Sequence, residues 1–441
     1  MSNMAILIKL FLSFPSCILI LRFPQMNSHC VFVVNALLIA LIRHGKLLEA
    51  KLAFDEFLNK DIVSWNSMLS GYLKCSSSEL PNFWRQMISQ GVKPDHFSYA
   101  TIFTGLADLS DIKFGFEVHS QLIKSGHGND ICVGNSLSDM YLKNWRMTDC
   151  LNVFDEMSCR DGRSWTQLAS GFLQYDEPEK ALYFISEMLK IGIKPNKFTL
   201  ATALNACANL ASIEYGKMFH TMRIKLGYLI DVCVDNALID MYAKSGCLDE
   251  ARVIFRSMPY RSVVSWTSMI MSCAQNGQAE EALNVFDEMK TEGSLEPNYI
   301  TYICVLYACN QGGFIDEGWK YFLSMSNDYG ISPGEDHYAC MVNLLGRAGH
   351  IKEAEKLISG MPFEAGVLVW QTLLGACRLH GDMETGKRAA EQAMKLDGID
   401  PSTYVLLSNM FAGLKNWESV GMLRKLMENR DVKKVPGFSW I

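Results

Sequence analysis

Apolar residues recur along this chain at helical spacing, in short stripes separated by polar breaks. Residues 263–298 show the pattern. Trp266, Met269, Ile270 and Cys273 fall on one helical face. Asn276-Gly277 interrupts the stripe. Ala282, Leu283, Val285 and Phe286 start a second stripe, which Gly293 and Pro297 end. The segment predicts a helix, a tight turn and a second helix, with Ser265 as the N-cap of the first. A single hairpin of this kind cannot bury its own stripe, whereas stacked neighbours can.

The same phrase returns along the chain. Ser64 to Lys74, Ser164 to Gln174 and Ser265 to Gln275 all open S-W, which puts Trp65, Trp165 and Trp266 100 and 101 residues apart. That interval holds three units, of 31, 35 and 35 residues. Short units open on Asn35-Ala36-Leu37, Asn135-Ser136-Leu137 and Asn236-Ala237-Leu238. Standard units carry the tryptophan phrase and close on Lys93-Pro94-Asp95, Lys194-Pro195-Asn196 or Glu296-Pro297-Asn298. Long units follow, with phrases such as Leu204-Asn205-Ala206-Cys207. Self-similarity at about 35 residues predicts an all-α solenoid of helix-turn-helix repeats, whose function lies along a groove. The three tryptophans read as core between helices, and a base-stacking platform is the weaker reading.

Composition narrows the function. The chain has 441 residues, 49% hydrophobic and 20% charged, with a net charge of −6. It can bury a large core, and it is not a bulk polyanion binder. Any nucleic-acid contact must come from placed side chains. The 14 cysteines stand singly, with no C-x-x-C pair, so neither a disulfide framework nor a zinc site is expected. Cys207, Cys309 and Cys377 follow alanine in helical stripes and read as small core residues. No nucleophile motif, phosphate loop or metal cluster is found, so an enzyme is not expected and no cofactor is required. Residues 1–30 hold no acid and are mostly apolar from Ala5 to Phe23, broken by Lys9, Pro15 and Arg22. An organelle transit segment, a membrane span and the remnant of an earlier repeat are the three readings. The breaks disfavour a span, and a transit segment is the expectation.

These phrases closely resemble the plant pentatricopeptide-repeat proteins of the subclass with alternating short, standard and long motifs. The likeness covers about residues 31 to 441. It implies a right-handed superhelical solenoid with its first helices along the concave face. About ten repeats are expected over residues 31–366. Val367 to Asp400 and Pro401 to Ile441 resemble the two extension motifs that follow the repeats, making 367–441 an extension region. Chains with these motifs are similar to organellar RNA-editing factors, which mark a cytidine for conversion to uridine. Many relatives continue into a zinc deaminase domain ending in D-Y-W, whereas here the chain ends at Ser439-Trp440-Ile441. Such a deaminase needs H-x-E and P-C-x-x-C. None of the nine histidines has Glu two positions on, so deamination is expected from a partner acting in trans through 367–441. The lead-in before residue 31 is short, which implies a reduced footprint or an incomplete chain.

The resemblance also assigns base-reading residues, the fifth and last of each unit, one base per repeat. Asn with Asp implies uridine, Asn with Ser cytidine, and Thr with Asn adenosine. Asn35 with Asp61, Asn66 with Asp95, and Asn135 with Asp161 then imply U. Thr166 with Asn196 and Thr267 with Asn298 imply A, and Asn236 with Ser262 implies C. Ala100, Ala201, Ile303 and Ala339 leave their units silent. Reading parallel to the chain gives 5′-U-U-n-U-A-n-C-A-n-n. The second-position residues Phe32, Val63 and Val264 would wedge between bases, with packing as the competing role. For the Asn and Thr residues the competing role is helix capping, but six short and standard units carry them at one offset where the long units carry Ala. The basic run Arg424, Lys425, Arg430, Lys433 and Lys434 reads as a solvated helix face or a phosphate contact.

The leading function is therefore a monomeric, non-catalytic adaptor for single-stranded organellar RNA, in the mitochondrion or else the chloroplast, with no membrane association. The alternatives are an organellar RNA-binding factor for stability, splicing or translation, and a protein-binding scaffold of the tetratricopeptide type.

Overall fold

The computed structural model describes residues 29–432 except 229, 414 and 431. Residues 1–28, most of the expected leader, lie outside the described residues, as do Lys433, Lys434 and the terminal Ser439-Trp440-Ile441. The described residues form 24 α-helices and two single-turn 3-10 segments, with no strand among them. The chain divides into two compact units, residues 1–206 and 207–441.

The first unit holds α1 (His29–Arg43), α2 (Leu47–Glu56), α3 (Ile62–Cys75), α4 (Leu80–Ser89), α5 (His96–Leu109), α6 (Ile112–Ser125), α7 (Ile131–Lys143), α8 (Met147–Glu156), α9 (Gly162–Gln174) and α10 (Pro178–Lys190). The boundary falls inside α11 (Lys197–Asn209). The second unit continues with α12 (Ile213–Lys225), α13 (Val232–Lys244), α14 (Leu248–Ser257), α15 (Val263–Gln275), α16 (Ala279–Glu292), α17 (Tyr299–Gly312), α18 (Ile315–Asn327), α19 (Glu335–Arg347), α20 (Ile351–Ser359), α21 (Val367–His380), α22 (Met383–Leu396), α23 (Pro401–Gly413) and α24 (Trp417–Asn429). Odd-numbered helices are the first of each hairpin. In each unit a first helix packs on its own second helix and on the next first helix, α3 on α5 in one unit and α15 on α17 in the other.

Several first helices start on a capping box. Asp61, Asp95, Asp161, Ser262 and Asn298 sit at the N-cap in extended conformation, and Ser64, Ser98, Ser164, Ser265 and Thr301 answer from the third helical position. This corrects the expectation at Ser265. Ser262 is the cap, and Ser265 is the buried partner one turn in. Ser265 is three residues late because Val263 and Val264 already belong to the helix.

The tryptophans hold successive repeats together. Trp65, Trp165 and Trp266 are buried. Each meets a phenylalanine of the preceding second helix edge-on, Phe54, Phe154 or Phe255, with ring centroids 4.8, 4.9 and 5.0 Å apart. Arg160 and Arg261 lie over the outer faces of Phe154 and Phe255 and donate to the carbonyl oxygens at those same residues. At Phe154 this satisfies a carbonyl left open at the end of α8, and at Phe255 it adds to the bond from the Met258 amide. Cys207, Cys309 and Cys377 are buried, and burial pushes each thiol up to about 12, as befits a core residue.

Most hairpin turns need one left-handed residue. Gly45, Gly246 and Gly277 supply it with φ of 72°, 75° and 76°. Ala211 occupies the same place between α11 and α12 with φ of 49°, and it is exposed. An L-residue with a Cβ is strained there. Ala211→Gly should therefore stabilise the protein by about 0.5–1 kcal/mol, the strain relief exceeding the added freedom of the unfolded chain. A rise in the denaturation midpoint is the expected result.

Candidate functional site

Each base-reading candidate on a first helix lies beside the cap of the next first helix. Asn35 Nδ2 donates to both Asp61 carboxylate oxygens at 3.1 and 3.4 Å. Asn66 does the same to Asp95 at 3.0 and 3.1 Å. Asn135 reaches Asp161 at 3.4 Å. The third-position serine closes the first two couples, with Ser64 and Ser98 hydroxyls donating to Asn35 and Asn66 Oδ1 at 2.6 Å. The structure thus brings together three predicted pairs by direct hydrogen bonds.

The two Thr–Asn pairs are joined through a third group. Thr166 Oγ1 lies 2.7 Å from Thr199 Oγ1, and Thr199 bonds Asn196 Oδ1 through its amide and hydroxyl, at 3.0 and 3.2 Å. Thr267, Thr301 and Asn298 repeat the arrangement. In both cases capping occupies the Asn oxygen and leaves its amide nitrogen without a partner among the described residues. Asn236 and Ser262 are not hydrogen-bonded to each other. Ser262 caps α15, and Asn236 Oδ1 is buried without a partner among the described residues.

Capping is therefore real at the closing residues and absent at the fifth-position residues, which do not begin helices. Asn35, Asn135 and Thr166 are buried, while Asp161 and Asn298 are exposed and Asp61, Asp95, Asn196 and Ser262 are half-buried. Solvent meets mainly the closing residue, held from behind by the fifth. Burial works against ionisation of Asp61, Asp95 and Asp161. The bonds from the third-position serine and the asparagine outweigh it, holding each carboxyl below the ordinary 3.8. These groups are acceptors only at neutral pH. Their contribution to stability is complete above the ordinary carboxyl range and is lost as pH falls through the lowered values.

Exposed apolar side chains flank the couples. Phe32, Val63 and Val264 are 66%, 47% and 58% exposed. Phe97, Phe198 and Ile300 share their register and exposure but escape a reading that skips units with silent fifth residues. Three residues before each fifth position would have found them. Val63 and Phe97 line a hollow containing Asn66 and Asp95, and Arg163 and Phe198 line another with Thr166 and Asn196. Each hollow is a slot with a polar floor. Charge is placed along the same helices. Arg43, Lys74, Lys143 and Lys244 stand eight residues after Asn35, Asn66, Asn135 and Asn236, whereas Gln174 and Gln275 follow Thr166 and Thr267. Lys74 borders the first slot.

A further couple lies past the repeats. Gln371 donates to Asp400, as Asn66 does to Asp95, and also donates to Thr403 at 2.9 Å, where Ser98 instead donates to Asn66. The glutamine and the extension context concealed it. Among the described residues no group of metal-ligating side chains occurs, and no helix is long and apolar enough to cross a membrane.

The PPR repeat model matches residues 32–62, 135–161, 163–193, 236–263 and 336–363, and the PPR repeat family model matches 60–108 and 261–311. An E motif matches 380–441. The chain belongs to the pentatricopeptide-repeat family. A mitochondrial pentatricopeptide repeat-containing protein of Arabidopsis thaliana is 38% identical over 96% of this chain and 67% of its own length. A chloroplastic one from the same plant is 38% identical over 90% of this chain and 47% of its own. A third Arabidopsis thaliana member is 39% identical over 93% of this chain, which spans only 41% of that relative. Among solved structures, the pentatricopeptide repeat protein PPR10 in complex with an 18-nt psaJ RNA element matches with a TM-score of 0.69 at 20% identity, covering 91% of this chain and 61% of PPR10. That likeness establishes the helical-repeat fold.

Capping and the pairing with Asn66 can be separated at Asp95. Asp95→Asn keeps an oxygen for the Ser98 amide and should leave stability within about 0.5 kcal/mol. Asp95→Ala removes the cap and leaves the Asn66 amide nitrogen unpaired, and should cost about 1–2 kcal/mol in chemical denaturation.

Proposed function

We propose that this chain is a sequence-specific single-stranded RNA-binding protein of a plant organelle. It acts as a site-recognition factor for C-to-U editing, with the deaminase supplied in trans. The observation that carries the reading is the recurring couple, in which a fifth-position side chain backs the N-cap of the next first helix beside exposed apolar walls. Residues 31–366 are the RNA-binding solenoid, 367–441 the region that recruits the deaminase partner, and 1–30 an organelle leader. The protein works as a monomer without cofactor or membrane. Relatives carrying mitochondrial and chloroplastic names support an organelle address, and the leader's composition favours the mitochondrion.

The couples explain the base preferences through the atom that capping leaves over. At Asp61, Asp95 and Asp161 that atom is an anionic acceptor, which matches the N3–H of uracil. At Asn196 and Asn298 the oxygen is consumed and the amide nitrogen remains to donate, which matches the N1 lone pair of adenine. The Ser262 hydroxyl donates to the N3 lone pair of cytosine. An exposed side chain on either side, as at Val63 and Phe97, stacks the base. Arg43 and Lys74 meet the phosphates, whereas Lys143 and Lys244 are ion-paired with Asp108 and Asp240. The order is 5′-U-U-n-U-A-n-C-A-n-n, followed by a gap to the edited cytidine. The RNA carried by PPR10 in its complex supports the ligand class.

Converting one couple tests this directly. Thr166→Asn with Asn196→Asp should move the preference at the fifth base from A to U, each matched contact being worth about 1–3 kcal/mol in filter binding. Equal affinity of the double variant for both RNAs contradicts the assignment. A knockout that loses conversion at discrete organelle cytidines supports the editing role, and unchanged editing overturns it.

A further inference from the structure

Two repeats close on glycine. Repeat 299–334 pairs Ile303 with Gly334, and repeat 335–366 pairs Ala339 with Gly366. Neither glycine is required by its backbone. Their φ angles, −100° and −76°, suit any residue. What glycine provides here is space. A Cβ on Gly334 would collide with Tyr299 Oη, and a Cβ on Gly366 would collide with the Glu335 carboxylate. Tyr299 and Glu335 are the first residues of their own repeats. Each lays its polar end where Asp95 or Asn196 has its side chain in the earlier couples.

Tyr299 is fixed in this pose. Its hydroxyl donates to Asp336 Oδ2 at 3.3 Å. Its ring stands edge-on to buried His337, with centroids 4.2 Å apart. His337 takes the third-position role of the missing serine. Its Nδ1 accepts the Gly334 amide at 3.2 Å, and its Nε2 donates to the Tyr299 carbonyl at 3.0 Å. With its proton turned to Asp336 Oδ2 and one lone pair to the Asp336 amide, the Tyr299 oxygen keeps a lone pair to present. No hydrogen bond or ion pair among the described residues occupies the Glu335 carboxylate, so both of its oxygens are free to accept.

We propose that Tyr299 and Glu335 read the bases of these two repeats, as acceptors that favour guanine or uracil over adenine or cytosine. Guanine and uracil present a ring N–H at the Watson–Crick edge. Adenine N1 and cytosine N3 present a lone pair, which faces a carboxylate or a committed hydroxyl unfavourably. Guanine adds its exocyclic amine and can engage both Glu335 oxygens. The inference rests on the RNA-binding reading above. It replaces the last two unspecified bases of the string with keto bases.

The test is filter binding of the full chain to RNAs of the string U-U-n-U-A-n-C-A-n-n, with each of the four bases in turn at the ninth and tenth positions. G or U at the tenth base should bind about five-fold or more tightly than A or C, the lower end of a single base contact. Glu335→Gln, which supplies a donor, should abolish that preference and leave the ninth base unaffected. Gly366→Ala, which evicts the carboxylate, should abolish it too. Tyr299→Phe should do the same at the ninth base only. A U-to-A change at the second base, opposite Asn66 and Asp95, is the control. If it weakens binding while all four bases at the ninth and tenth positions bind equally, the inference fails and the RNA-binding reading stands. If the control change is also silent, both fail.

Discussion

The N-cap bond at the start of each first helix is the interaction on which the other features depend. A helix leaves its first amides without partners, and burial between repeats makes that costly. Asp, Asn or Ser at the cap answers the cost with one side-chain atom. The atom that remains is held in a fixed direction by the residue behind it, as Asn66 holds Asp95. A single residue thereby stabilises the hairpin and displays a defined donor or acceptor. Stability and hydrogen-bonding sense are coupled at these sites. Asn in place of Asp keeps the fold and changes the hydrogen-bonding sense, while Ala loses both.

The remaining physics keeps this display regular. Trp65, Trp165 and Trp266 meet Phe54, Phe154 and Phe255 with almost the same geometry, so repeats of the same type dock alike. Contacts run only between near neighbours in each unit, as expected of a quasi-one-dimensional architecture. The hydrophobic work is done at the back of the first helices, and the display side stays open. Basic residues stand after the asparagine couples and glutamines after the threonine couples, and two of the basic residues, Lys143 and Lys244, are ion-paired with Asp108 and Asp240.

Much of this was legible in the sequence. Helical periodicity and the tryptophan interval gave the hairpins, because a buried stripe needs residues at a set spacing. The six polar fifth-position residues stand at one offset in the repeats, and their assignment as base readers came from the family resemblance. The start of α15 was read three residues late because a serine before an apolar stripe fits both the N-cap and the third helical position, and only backbone geometry separates them. Phe97, Phe198 and Ile300 belong to units whose fifth residues, Ala100, Ala201 and Ile303, carry no polar group to mark them. Gln371 with Asp400 was hidden by a longer side chain that reaches the same cap. The filling of the Gly334 and Gly366 spaces by Tyr299 and Glu335 has no sequence signal, since it is contact between residues about 30 positions apart.

The central claim is that atoms left over from helix capping choose bases. Selection from a fully random RNA pool by the purified chain tests it most directly, since no motif is supplied in advance. The account predicts enrichment of sequences with uridine at the first, second and fourth positions, adenosine at the fifth and eighth, and cytidine at the seventh. Recovery of unenriched RNA, or of a motif with adenosine opposite Asp61, Asp95 and Asp161, would contradict it.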